Sequence, residues 1–244
     1  MNYDFRPRFY PMIATPSLSR AKAGSASPLS VAPSATRMDR RQHPGQPNTR
    51  RSPQLSKRDQ LLETAWQLFY RDGYHATGID RILTKAGVAK MTLYKHFRSK
   101  EELILAVLEK RSDQFRESFS EFLDAKKRTP ERDLLAVFDW LIAWVESKDF
   151  RGCLFQKAMA EYQELEDPIH QAALAHKAAF HGEIRRLVVA AGLAKPKALT
   201  DQLALLVEGA ILNSQALGAS TPAVHAREAA QTLVQAAQRI RRIR

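Results

Sequence analysis

The sequence predicts an all-α protein: three short helices at the start of its ordered part, followed by a bundle of about six more. Three observations lead there. Apolar residues recur at the i, i+3, i+4, i+7 spacing of amphipathic helices in segment after segment. Thr129-Pro130, Asp167-Pro168 and Thr221-Pro222 each set a capping side chain before a proline, whose fixed φ and missing N–H suit the first helical position. No segment requires a strand to bury its apolar residues.

The first 54 residues stand apart. They are rich in Pro, Ser, Ala and Arg, carry only Asp4 and Asp39 as acids, and show no apolar rhythm, so disorder is expected over 1–54. An Arg- and Ser-rich, acid-poor start is reminiscent of a transit peptide, but no amphipathic helix or apolar core supports targeting. Two readings remain, a basic arm with non-specific phosphate affinity or a translation start at Met38, and the second is preferred.

Ordered sequence begins at Ser56, which with Asp59 forms a helix start: the serine caps and the acid suits the positive end of the dipole. Leu62, Ala65, Trp66 and Phe69 form its stripe, and Asp72-Gly73 stops it. A second helix opens near Thr77 and carries Ile79, Ile82, Leu83 and Ala86 on one face before Gly87, placed where two crossing helices need a residue tolerant of positive φ. The third is short. Leu93 and Phe97, four apart, are its buried side, which leaves Lys90, Thr92, Tyr94, Lys95 and His96 facing out.

Two short helices joined by a glycine turn, the second bearing bases, hydroxyls and an aromatic, are the parts of a helix-turn-helix reader of the major groove. Lys90 and Lys95 can reach phosphates or guanine edges, Thr92 can donate, accept or offer its methyl, and Tyr94 and His96 suit backbone oxygens. The same residues also suit the solvated face of a surface helix, and on their own they leave both readings open.

The following helix starts at Ser99, with Glu102 completing a capping-box pattern, and continues through Leu108, Phe115, Phe119 and Phe122 as a connector between halves. Later stripes are Leu134, Phe138, Leu141 and Val145; Phe155, Met159 and Tyr162; Phe180, Ile184 and Leu187; and Leu203, Val207, Ala210 and Ile211.

The run from Thr77-Gly78-Ile79-Asp80-Arg81-Ile82 through Ala86-Gly87-Val88-Ala89-Lys90-Met91-Thr92-Leu93-Tyr94-Lys95-His96-Phe97-Arg98-Ser99-Lys100-Glu101-Glu102-Leu103 resembles the DNA-binding module of TetR/AcrR regulators. In that family an alanine-glycine-valine turn precedes a recognition helix ending in threonine-leucine-tyrosine-x-histidine-phenylalanine, and a lysine opens the next helix. The resemblance implies that Lys90, Met91 and Thr92 face the bases or the groove, that Tyr94, His96 and Lys100 hold phosphates, and that Thr77 touches phosphate at the start of the second helix. Met91 stands where the family usually has a small residue or proline, which changes the expected base preference there.

After the extension (1–54) that composition marks as disordered and basic, the resemblance implies a helix-turn-helix domain (55–101) and an effector-binding and dimerisation domain (102–244). TetR-like proteins pair their last two long bundle helices across the dimer. Here the candidates are roughly 168 to 191 and 197 to 217, the second with small Gly209, Ala210, Ser214 and Ala216 that permit close approach. Two heads about 34 Å apart would read a near-palindrome in double-stranded operator DNA.

An effector site is expected around Trp140 and Trp144, four apart on one helix, and the cluster Phe150, Cys153, Phe155, Met159 and Tyr162, with Asn213, Gln156, Glu161 and Gln215 as polar handles. The stretch Gly152-Cys153-Leu154-Phe155 resembles one common in a branch of the same family. Such a lining suits an apolar or aromatic small molecule, although each residue equally suits plain core. Effector binding is expected to shift the connector near residues 100 to 122 and misplace the heads.

Composition sets bounds on this reading. With 38 Lys+Arg against 26 Asp+Glu the formal charge is +12, which favours a polyanionic partner. No apolar run of 18 or so residues is present to span a bilayer, and the one cysteine, Cys153, excludes an intramolecular disulfide and a Cys-rich zinc site, consistent with a cytoplasmic location. Buried among apolar neighbours, Cys153 reads as unreactive rather than as a redox sensor. His170, His176 and His181 are spaced so that they do not share a helical face with metal-ligand geometry, so no metal and no cofactor are expected. No phosphate loop, nucleophile elbow or His-Glu-x-x-His motif supports an enzyme. The expectation is a transcriptional repressor released from DNA by its effector. Its rivals are a structural DNA-binding protein without sequence choice and, further off, a helical enzyme.

Overall fold

The computed structural model describes residues 55–125 and 128–243. The expected disorder of residues 1–54 falls outside the described residues. Among those described there are nine helices and no strand: α1 (Lys57–Asp72), α2 (Ile79–Ala86), α3 (Lys90–His96), α4 (Lys100–Asp124), α5 (Pro130–Val145), α6 (Leu154–Glu161), α7 (Pro168–Ala190), α8 (Pro196–Leu217) and α9 (Thr221–Ile243). The first three make a head, and the other six make the body.

Local chemistry sets most helix starts. Ser56 Oγ accepts the Asp59 N–H at 3.0 Å, and Asp167 accepts that of Ile169 at 2.7 Å, so each relieves one of the unpaired donors of a first turn. Thr129 makes no side-chain cap bond, and the start of α5 rests on Pro130. The expected capping box at α4 forms only by half: Ser99 Oγ accepts the Glu102 N–H at 3.2 Å, but the Glu102 carboxylate reaches past the cap to the N–H of Arg98 at 2.7 Å.

The predicted stripes become the core. Leu62, Ala65 and Phe69 of α1, Ile82, Leu83 and Ala86 of α2, and Leu93 with Phe97 around α3 are all buried. Each full-size side chain among them contributes about 1.5–3 kcal/mol by leaving water. Within the head, α1 lies against both α2 and α3; α4 packs back on α1 and forward on α7. In the body, α9 packs on α5 and α8, while α6 lies on α7. Arg111 of α4 is only 1% exposed: its guanidinium sits 3.4 Å above the Trp66 ring and pairs with Glu63 at 2.8 Å, so α1 and α4 are joined by charge as well as by apolar contact. No described helix is long and apolar enough to cross a membrane.

Candidate nucleic-acid interface and effector region

The turn between α2 and α3 is built on Gly87, which is left-handed at φ 61°, ψ 39°. There it lets the chain leave α2 while the Val88 N–H returns to Leu83 O at 3.2 Å and the Val88 side chain is buried. That closure sets the direction of α3. Leu93 and Phe97 then anchor the short helix at 0% and 2% exposure. The opposite side is turned outward: Lys90, Met91, Tyr94 and Lys95 are exposed, with Met91 at 80%, while Thr92 and His96 are half-buried at the margins. Lys90 Nζ stands 3.6 Å from the Asp80 carboxylate, an exposed pair that phosphate can displace at little cost.

Two expected phosphate contacts are placed differently. Thr77 is fully buried, and its hydroxyl donates to Gly73 O at 2.7 Å. It holds the turn between α1 and α2, and no side-chain atom is left exposed to meet a phosphate. Helix α2 accordingly opens from Gly78 rather than from a threonine cap. Lys100 is half-buried and its ammonium donates to His75 O at 3.4 Å, so it too braces that turn.

Two open concavities lie on the head rather than among the predicted effector residues. One, of about 510 Å³, is lined by Leu68, Arg71, Asp80, Arg81, Thr84 and Lys85. The other, of about 400 Å³, runs along the α2–α3 turn and includes Lys90.

The body holds an aromatic cluster. Phe115 of α4 meets Trp140 at 5.1 Å, His176 at 5.0 Å and Phe180 at 5.5 Å, each edge-to-face. Trp144 extends it to Trp140 at 5.6 Å and Phe150 at 5.3 Å, and Phe155 stacks on His176 with centroids 3.5 Å apart. His176 is buried in this company, which pushes its pKa down from the usual 6.5 to about 3; the charges of Lys177 and Arg116 add to the effect. Its Nδ1 lies 3.0 Å from Ser112 Oγ, giving the cluster one neutral polar pair. Neither Ser112 nor His176 was expected as a lining residue. The available signal was His176 at i−4 from Phe180, on the same helical face.

Trp140, Trp144, Phe150 and Phe155 are thus brought together, and Cys153 is buried at the start of α6. Met159 is half-buried against the core. Tyr162 turns to the head, 4.7 Å from the His75 ring, and burial together with nearby carboxylates pushes its hydroxyl up to about 12. Asn213 is exposed on α8 and donates to Gly209 O at 2.7 Å, so it does not line the cluster. Gln156 is drawn to Glu208 at 2.7 Å, beside the Lys177–Glu208 pair. Glu161 accepts the N–H groups of Tyr74 and His75 at 2.8 and 2.6 Å, a contact with the head rather than with an effector. Among the described residues no three His, Cys, Asp or Glu side chains gather as a metal site: His170 pairs with Tyr162 O and His181 with Asp201.

A three-helix head with an exposed second helix of its turn motif, carried on an all-helical body, defines a helix-turn-helix regulator. The matches to known proteins agree. The family of bacterial regulatory proteins named for TetR matches residues 61–107, and the tetracyclin repressor-like C-terminal domain matches residues 130–230. A TetR-family transcriptional regulator from Streptomyces coelicolor superposes with a TM-score of 0.71 at 30% identity, covering 74% of this chain and 89% of that one. The chain belongs to the TetR family.

Among curated relatives, the transcriptional activator FasR of Mycolicibacterium smegmatis is 51% identical over 63 residues, 26% of this chain and 29% of that protein. The transcriptional repressor ComR of Escherichia coli is 32% identical over 106 residues, 43% of this chain and 50% of that protein. The matched stretches therefore span half or less of these relatives' lengths.

Proposed function

We propose that the protein is a sequence-specific, DNA-binding transcriptional regulator, a repressor released from a near-palindromic operator by a small apolar or aromatic effector. The observation that carries this is α3: a short helix fixed from beneath by Leu93 and Phe97, presenting Lys90, Met91, Tyr94 and Lys95 outward, with half-buried Thr92 and His96 at its edges. These side chains can meet base edges and phosphates together, and Met91 offers an apolar contact to a thymine methyl. Lys100 contributes through the turn it braces, and Thr77 through the packing beneath it.

Homodimerisation fits the surface of α7 and α8. Ala198, Gln202, Leu205, Gly209, Leu212 and Ala216 recur at alternating intervals of four and three, the seam of a helix pair. Leu205 and Leu212 are 71% and 60% exposed on it. On α7 the matching positions Ala175, Ala178 and Gly182 are small and exposed, which permits close helix approach. In this reading the effector parts the aromatic cluster around Trp140, Trp144, Phe150 and Phe155, and the ligand must favour the head-displaced state for DNA to be released. FasR is named an activator and ComR a repressor, so a reporter driven by the recovered operator, with and without this protein, tests the sign.

Selection of bound fragments from random and genomic DNA tests the whole reading. A shared near-palindrome is the expected result. Recovery of fragments with no common sequence would favour a structural DNA-binding protein and overturn it.

A further inference from the structure

We propose that Glu161, the last residue of α6, is a positioning residue that fixes the DNA-reading head against the body by clamping the turn between α1 and α2. The clamp rests on the DNA-reading function proposed above. Helix α1 ends at Asp72, and Gly73 leaves it at φ 91°, so the next two backbone N–H groups have no helical partner. The Glu161 carboxylate takes both, Oε1 from Tyr74 at 2.8 Å and Oε2 from His75 at 2.6 Å. A charged acceptor shared by two adjacent amides is stronger and more directional than a neutral contact.

The surrounding contacts repeat the same join. The His75 ring Nε2 lies 2.9 Å from Glu161 O, and the Tyr74 hydroxyl donates to Leu154 O at 3.0 Å, at the other end of α6. Lys157 donates to Tyr70 O at 2.6 Å. Glycine suits position 73 because its φ of 91° strains any side chain, and a Cβ there would also stand 2.8 Å from Glu161 Oε1 and push that carboxylate aside. From the clamped turn, the Thr77 hydroxyl on Gly73 O carries the constraint to the start of α2, and the Gly87 turn carries it on to α3.

The head is joined covalently to the body only through α4. Helix α4 holds α1 through Arg111, which lies over Trp66 and pairs with Glu63, and the clamp adds an attachment of the C-terminal end of α1 to α6. At its other end α6 carries Phe155, stacked on His176 inside the aromatic cluster. Because α6 is only eight residues long, about 12 Å, a rigid shift of this helix would move Phe155 and Glu161 together.

The test uses the full chain and two variants that break the clamp independently, Glu161→Gln, whose amide has one acceptor oxygen for two amides, and Gly73→Ala. Hydrogen exchange is followed in peptides containing Tyr74 and His75, alongside thermal melting and affinity for the selected operator duplex. The expected result for each variant is exchange at that turn about tenfold faster and operator binding about tenfold weaker, with exchange in the α7–α9 peptides unchanged. Gly73→Ala also lowers the melting temperature through backbone strain at φ 91°, so the double variant is judged on turn exchange and operator affinity, where it should be little worse than either single one. Unchanged exchange at Tyr74 and His75, or faster exchange with operator affinity intact, would overturn the proposal. If the wild-type chain selects no shared sequence, the function reading fails, and exchange alone then decides whether Glu161 holds the turn.

Discussion

Lys90 and Thr92 owe their position to Leu93 and Phe97, which hold α3 by its inner side and leave its outer side free of packing duties. Replacing Lys90 or Thr92 by alanine should therefore weaken operator binding by about 1–3 kcal/mol, measured by fluorescence anisotropy, with the melting temperature unchanged. Thr77 presents the opposite case. Thr77→Val keeps the shape but removes the bond to the half-buried Gly73 O, and should destabilise the protein by about 1 kcal/mol in urea unfolding. A loss of DNA affinity at unchanged stability would instead restore it as a direct contact. At this scale the sequence was legible where spacing alone decides exposure, as for Lys90, Tyr94 and Lys95. It was not legible where a polar side chain chooses between an outside partner, a phosphate for Thr77 and an effector for Asn213, and the chain's own carbonyl. Thr77 and Asn213 both chose the carbonyl, and nothing in their local spacing distinguishes the two.

Helix existence and order followed from periodicity and start signals because each stripe serves a local rule, and α2, α3 and α5 lie where their apolar residues put them. The role of α6 was hidden for a physical reason. Its functional end contacts backbone amides far away in sequence, and backbone amides carry no residue signature. Where α4 and α7 meet, Ser112 and His176 form a pair that only the packing reveals. Burial holds His176 neutral with a pKa near 3, below the 6.5 of the unfolded chain, so its contribution is complete above about pH 6.5 and is lost as the pH falls toward 3. Between pH 6.5 and 5 this amounts to about 2 kcal/mol, read as the pH dependence of urea unfolding. His176→Gln should flatten that slope, and an unchanged slope would place the titration elsewhere.

For the whole molecule, one recognition helix reads too few base pairs to find a site in a genome, and the proposed dimer would pair two through the exposed Leu205 and Leu212 of α8. Leu205→Glu combined with Leu212→Glu should convert a dimer to a monomer in analytical ultracentrifugation and abolish tight operator binding while the head stays folded. A dimer that survives both substitutions would move the interface off α8. The excess of 38 basic over 26 acidic residues adds a sequence-independent attraction for any duplex, and the reading of α3 must stand above it. Titration of the full chain against its selected operator and a scrambled duplex of equal length, at a series of salt concentrations, separates the two most directly. Both affinities should fall with salt while the operator stays about a thousandfold or more tighter; equal affinities falling together would mean that α3 reads no sequence.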